Sequence, residues 1–250
     1  MGKNKLRKFA EMERFDCVFQ YPFSQLRDHG FPMRGSWSQT YFKNDNPIVL
    51  ELGCGKGEYT VGLARITPDK NFIGIDIKGA RMHTGASAAV REGLTNAAFL
   101  RTSIELLAEF FAPGEISEIW ITFPDPQMKK VRKRLTSTRF LEMYRGLLTA
   151  DGVVKLKTDS PFLYTYTRAL LSANSVEPNV DTADLYHTPE RDLVPDIRTH
   201  YEKQWLDRGL TIKYLEFHIP AGDLIEPDIE IPEDTYRSYS RGQIQQGIGI

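Results

Sequence analysis

Ile48-Val49-Leu50-Glu51-Leu52-Gly53-Cys54-Gly55-Lys56-Gly57 joins a short apolar run to three glycines at alternate positions, just ahead of a stretch with helical spacing. A run of this length, bounded by glycine, reads as a buried strand. The glycines allow tight, φ-positive turning and let the backbone approach a ligand closely. Outward from this point the chain keeps alternating between short β-branched or apolar runs and helical spacing, the mark of a parallel sheet with crossover helices. Further strands are predicted at Phe72 to Ile77, Ala98 to Arg101, Glu118 to Phe123 and Val153 to Lys157. The clearest helix is Ser137 to Leu148, with Thr136 or Ser137 as N-cap and Asp151-Gly152 as its stop. Thr211 to Ile219 alternates as a half-buried, antiparallel final strand. The fold expected is α/β, a Rossmann-like, doubly wound, mostly parallel sheet.

A GxG turn alone says little. Here Glu51 precedes the glycines, and Asp76 stands at the end of the second strand, where a carboxylate can grip ribose hydroxyls. A nucleoside cofactor is implied. Dinucleotide sites want a third glycine at the G-x-G-x-x-G position, which is Glu58 in this chain, so NAD is disfavoured. An acid ahead of GxGxG suits S-adenosylmethionine, whose ammonium and sulfonium groups are positive and which has no pyrophosphate to repel a carboxylate.

A second motif follows the fourth strand: Phe123-Pro124-Asp125-Pro126-Gln127-Met128-Lys129-Lys130-Val131-Arg132-Lys133-Arg134. Ligands of open α/β sheets bind beyond the carboxyl ends of the strands, so Asp125 should face the same crevice as the glycine turn. The flanking prolines fix its backbone. Between Lys129 and Arg145 the chain carries seven basic residues and one acid, Glu142. Beside a cofactor cleft, such a cluster suits a phosphate backbone.

Composition bounds the rest. The 250 residues are 41% hydrophobic, with 32 basic and 33 acidic residues, so nucleic-acid affinity must come from local clustering of charge. The longest uncharged stretch is the ten residues Cys17 to Leu26, too short for a membrane span. The charged N-terminus lacks an apolar signal core, which points to a cytoplasmic address. Cys17 and Cys54 form no CxxC, and the five histidines show no HExxH, so neither a metal site nor a disulfide is expected. Three sections are anticipated: a basic arm and lead-in (1–44), a central domain (45–219) and an acidic, proline-containing tail (220–250).

Taken in order, Leu50 to Gly57, Gly74-Ile75-Asp76, Phe123-Pro124-Asp125-Pro126 with Lys129-Lys130 and Lys133-Arg134-Leu135-Thr136, Lys157-Thr158-Asp159, and Thr199-His200-Tyr201-Glu202 resemble the bacterial tRNA (guanine-N7)-methyltransferase family. The resemblance covers most of residues 45 to 210. It implies that Glu51 and Asp76 hold the cofactor, with Gly53 and Gly55 in the loop and a third-strand contact at Thr102, or at Ser103 one residue on. It implies that Asp125 lies at the methyl-transfer site and also contacts the cofactor, and that Lys129, Asp159 and the Thr199 to Glu202 segment contact the tRNA guanosine. In this chain Gln127 stands where the family usually has Trp, and Thr102 where members often carry Asp or Asn.

Guanine N7 has a free in-plane lone pair and needs no general base. A fixed carboxylate, Asp125, would stabilise the positive charge that develops on the purine. From the chemistry of the guanine edge, Asp159 and Glu202 could accept hydrogen bonds from N1 and N2. Lys129, Lys130, Arg132, Lys133 and Arg134, with the N-terminal arm, would hold phosphates of an exposed nucleotide, guanosine 46 by resemblance. The alternatives are a methyltransferase of another RNA and an RNA-binding relative without catalysis. A monomer or homodimer without an obligate protein partner is expected.

Overall fold

The computed structural model describes residues 3–236, with side chains from Arg7 onward. In chain order its strands are β1 (Val18–Gln20), β2 (Ile48–Leu52), β3 (Asn71–Ile75), β4 (Ala97–Arg101), β5 (Ile116–Thr122), β6 (Leu148–Thr158), β7 (Val180–Thr182) and β8 (Lys213–His218). Its helices are α1 (Lys3–Met12), α2 (Phe23–His29), α3 (Glu58–Ile66), α4 (Gly79–Glu92), α5 (Leu107–Phe110), α6 (Thr138–Leu147), α7 (Pro161–Ala173) and α8 (His200–Leu206). Among the described residues the strands form one eight-stranded sheet in the order β1-β4-β3-β2-β5-β6-β8-β7. Strands β1 to β6 pair in parallel, and β8 runs antiparallel between β6 and β7. This is the doubly wound α/β fold that the sequence pattern predicts. The order reverses around β2, which places a crevice beyond its carboxyl end.

Alternation along each strand divides the core between two faces. Ile48, Leu50, Leu52, Ile73, Ile75, Ile119 and Ile121 point one way, onto Phe140, Tyr144 and Leu147 of α6 and Leu163 and Leu170 of α7. Val49, Phe72, Phe99 and Trp120 point the other way, onto Tyr59 and Leu63 of α3 and Met82 and Ala86 of α4. All five residues of β2 are buried, so its reading as a continuous apolar run has a direct cause.

Three local details differ from the sequence pattern. Helix α6 ends at Leu147 and β6 starts at Leu148, so Asp151-Gly152 does not stop the helix. Those residues lie instead in an irregular entry to β6, where the register with β5 shifts between Ile116 and Glu118. Ser137 is in the N-cap position of α6 but makes no capping bond. The carboxylate of Glu226, in the tail, accepts from Thr138 N at 3.0 Å and Thr138 Oγ1 at 2.8 Å. The lead-in, finally, adds the edge strand β1 beside β4, and α1 packs on α4, where the His83 ring meets Glu11 at 2.6 Å. Lys3 and Lys5 of the basic arm have side chains outside the described residues.

The tail from Pro220 to Tyr236 is strapped across α6 and α7. Arg145 donates to the Pro220 carbonyl at 2.8 Å, Asn174 exchanges two bonds with Ile225, and Tyr166 donates to Glu226. Asp234 accepts from Phe162 N at 3.0 Å and from the Ser160 hydroxyl, at the start of α7. Two tail acids therefore sit at helix N-termini, where negative charge is favoured. The tail's Arg237 and Arg241 lie outside the described residues.

The glycine turn rests on close packing. Gly57 has φ of +69°, and a Cβ there would lie 2.6 Å from the Phe99 ring and 3.1 Å from Gly85 Cα of α4. Gly57→Ala is expected to cost about 2 kcal/mol or more of unfolding free energy, because backbone strain and the clash act together. Urea denaturation of the two proteins checks this.

Candidate methyl-transfer site

Beyond the carboxyl ends of β2, β3 and β5 lies a cleft of about 570 Å³, continuous through shared wall residues with a smaller one of about 230 Å³. Glu51, Gly53, Gly55, Asp76, Asp125 and Thr199 line the larger cleft. Thr102 and Ser103, at the end of β4, line the smaller one with Gly53 and Asp76. Residues scattered over more than a hundred positions are thus brought to one place by the reversal of strand order.

The glycine turn is held to β3 by Gly53 N and Cys54 N, which both donate to the Ile75 carbonyl, at 2.8 and 2.9 Å. Asp76 then fastens its far side: Oδ2 accepts from Gly55 N at 2.9 Å, and Oδ1 from Lys78 N at 2.7 Å. Each oxygen keeps a further lone pair that can accept from a hydroxyl. Gly53, with φ of +73°, has no atom within 4 Å of where a Cβ would stand. The backbone there opens onto the cleft, which leaves room for a ligand against the turn. The acid, the turn and the cleft fit a nucleoside cofactor with a positively charged tail.

Glu51 lies at the floor and is 3% exposed. Its carboxylate accepts from Thr60 N at 2.8 Å, from the Thr60 hydroxyl, and from Thr122 Oγ1 at 2.7 Å. Burial pushes its carboxyl up to about 7, the threonine bonds opposing the shift and the nearby Asp76 adding to it.

The Asp125 loop is clamped from below. Phe123 N donates to the Lys157 carbonyl at 2.8 Å, and both Phe123 (φ +49°) and Gln127 (φ +48°) take left-handed backbone. Asp125 is exposed to the cleft and accepts from Gln127 N at 3.0 Å through one oxygen. Arg134 is the surprise in this region. It is 2% exposed, donates to the carbonyls of Pro126, Gln127 and Met128, and lies 3.9 Å from the Tyr166 ring centroid and 4.8 Å from that of Phe162. Arg134 therefore does not hold phosphates, as its place in the basic run suggests; its planar fork staples the loop that carries Asp125. Lys129 is exposed on the outer side of that loop, 3.9 Å from Glu233 of the tail.

Asp159 and Glu202 are each 0% exposed and do not line the cleft. Asp159 accepts from the Tyr236 hydroxyl at 2.6 Å. Glu202 forms an ion pair with Lys157 at 2.8 Å, accepts from Tyr186, and closes a capping box with Thr199 at the start of α8. Burial depresses the Lys157 ammonium, and Glu202 counters that shift. Thr199 is held at the cleft wall by this arrangement. Tyr201 and Trp205, one turn apart on α8, line the cleft too, as do Lys78, Arg81 and Lys133. Tyr201 falls within the Thr199 to Glu202 segment that the resemblance singles out; Trp205 was not anticipated, and its i,i+4 spacing from Tyr201 was the available signal.

Comparison with known proteins agrees with the geometry. A family model described as "Putative methyltransferase" matches residues 45–215. A tRNA (guanine-N(7)-)-methyltransferase of Bacteroides fragilis is 58% identical over 244 residues, 97% of either chain. One of Porphyromonas gingivalis is 59% identical over 95% of this chain and 99% of its own. One of Geobacillus thermodenitrificans is 35% identical over 78% and 88%. Among solved structures, an antibiotic-related methyltransferase superposes with a TM-score of 0.53 at 16% identity, covering 82% of this chain and 96% of that one, a likeness of fold. No helix among the described residues is long and apolar enough to cross a membrane.

Two measurements test the buried charges. With a folded-state value near 7 against an ordinary 4.5, Glu51 binds more protons folded than unfolded, so its contribution is full below pH 4.5 and lost as pH rises through 7. Relative to the wild type, Glu51→Gln should gain about 3 kcal/mol at pH 8 and little at pH 5, read from thermal melts at both. Glu202→Ala, which strands the Lys157 charge, should cost about 3–5 kcal/mol, and pairing Glu202→Leu with Lys157→Met should recover most of it in the same assay. The ordered motifs, the full-length identities and the cleft agree, and the chain belongs to the tRNA (guanine-N7)-methyltransferase family.

Proposed function

We propose that this protein transfers a methyl group from S-adenosylmethionine to N7 of a guanosine in tRNA, guanosine 46 of the variable loop, working in the cytoplasm as a monomer or homodimer. The observation that carries the reading is the meeting in one cleft of the glycine turn with Asp76 and of the clamped loop with Asp125. S-adenosylmethionine would supply an electrophilic methyl group on a sulfonium sulfur, which guanine N7 takes with its in-plane lone pair, so no general base is required.

Gly53, Gly55 and Asp76 would hold the nucleoside part, Thr102 or Ser103 its base end, and Glu51 the positive tail. Cation binding beside Glu51 favours its ionised form, so cofactor affinity should rise as pH passes upward through about 7. Asp125 keeps one carboxylate oxygen fixed by Gln127 N and offers the other to the purine, whose charge grows as the methyl transfers. Arg134 and the Phe123–Lys157 bond hold that carboxylate in place, which is what electrostatic stabilisation without reorganisation needs. Thr199 would contact the guanosine directly. Glu202 acts through Thr199 by way of the capping box, and Asp159 through the tail, so their part in selecting guanine is one of positioning.

The test is transfer of labelled methyl from S-adenosylmethionine to unmodified tRNA, with mapping of the product nucleotide. The wild type should yield N7-methylguanosine, and Asp125→Ala should lose about 10²–10³-fold in kcat. Cofactor binding without methylation of any tRNA would overturn the substrate assignment.

A further inference from the structure

The basic loop after β5 lies on one side of β2. The other side of the cleft is built by β3 and the start of α4, and it too is positively charged. Lys78 and Arg81 line this wall, and both are exposed. Neither side chain makes a hydrogen bond or ion pair among the described residues. Several cations elsewhere are neutralised: Arg65 by Glu92, Lys70 and Lys155 by Glu118, Arg168 by Asp181. Even Lys129, on the loop, has Glu233 nearby.

We infer that Lys78 and Arg81 form a second phosphate-binding bank, across β2 from Lys133 and its neighbours, which takes the tRNA strand on the far side of the target guanosine. The inference rests on the tRNA methylation proposed above. A nucleotide that reacts at N7 must leave its stack, and its two flanking phosphates then lie on either side of the extruded base. A single basic loop can neutralise one of those flanks. The sheet topology supplies the other, since β3 and β5 are the two neighbours of β2 and their trailing loops face each other across the cleft. Two banks grip the strand on both sides of the base and raise the affinity for tRNA.

The competing role for Lys78 and Arg81 is contact with the carboxylate of the cofactor. Both are distinguished by kinetics of the full chain on unmodified tRNA at several salt concentrations, with cofactor affinity measured by calorimetry. For the Lys78→Ala/Arg81→Ala double variant, KM for tRNA should rise about tenfold at low salt, and the slope of log(kcat/KM) against log salt should flatten by about 1.5–2. Its kcat at saturating tRNA and its S-adenosylmethionine affinity should stay within twofold of the wild type. Lys78→Arg/Arg81→Lys, which keeps both charges, should restore the wild-type slope. An unchanged tRNA KM and slope, or a fall in cofactor affinity that accounts for the whole loss, would overturn the second bank. A wild type that methylates no tRNA would instead overturn the function on which the inference rests.

Discussion

One ion pair without solvent exposure, Lys157 with Glu202, ties the substrate side of this molecule together. Taking both charges out of water costs several kcal/mol per ion, and the pair offsets that cost because the ammonium and both carboxylate oxygens have further hydrogen-bond partners. Tyr186 donates to the glutamate, the Ile197 carbonyl accepts from the ammonium at 3.3 Å, and the other carboxylate oxygen accepts from Thr199 N. The lysine's own carbonyl takes the Phe123 amide at the root of the Asp125 loop. One residue of β6 thereby sets both the loop that carries Asp125 and the helix that carries Thr199. An apolar pair of the same volume could match its stability. It could not hold two walls of the cleft in register.

The strand and turn at residues 48–57 were legible because burial on both faces and glycine geometry leave marks on neighbouring positions. Asp76 and Asp125 were legible for a related reason: each follows a strand directly, so strand order alone assigns it to the crevice. What escaped depends on partners far away in sequence. Glu202 and Asp159 look like Asp76 in a one-dimensional reading, yet each is enclosed by a residue dozens of positions distant, Lys157 for one and Tyr236 for the other. Arg134 shares a run with Lys129 to Lys133, and only the placement of Phe162 and Tyr166 beneath it separates a staple from a surface charge. Strand β1 is three residues long and carries no alternation to find.

The cleft carries charge of both signs. Glu51 is buried at its floor, Asp76 and Asp125 are tied to backbone amides, and Lys78, Arg81 and Lys133 are exposed on its walls. A cofactor with a positive tail and a polyanionic substrate can occupy such a site together, since each finds charge of the opposite sign there.

The tail supplies the closing point. Its carboxylates Glu226 and Asp234 reach the first turns of α6 and α7, helices whose own sequences place no acid there. Each carboxylate lies far along the chain from the helix it meets, 88 positions for Glu226 and 72 for Asp234, so the negative charge at these two helix ends arrives only when the tail docks. Release of that one segment would leave amides of two separate helices unsatisfied at once, which couples the fraying of α6 to that of α7.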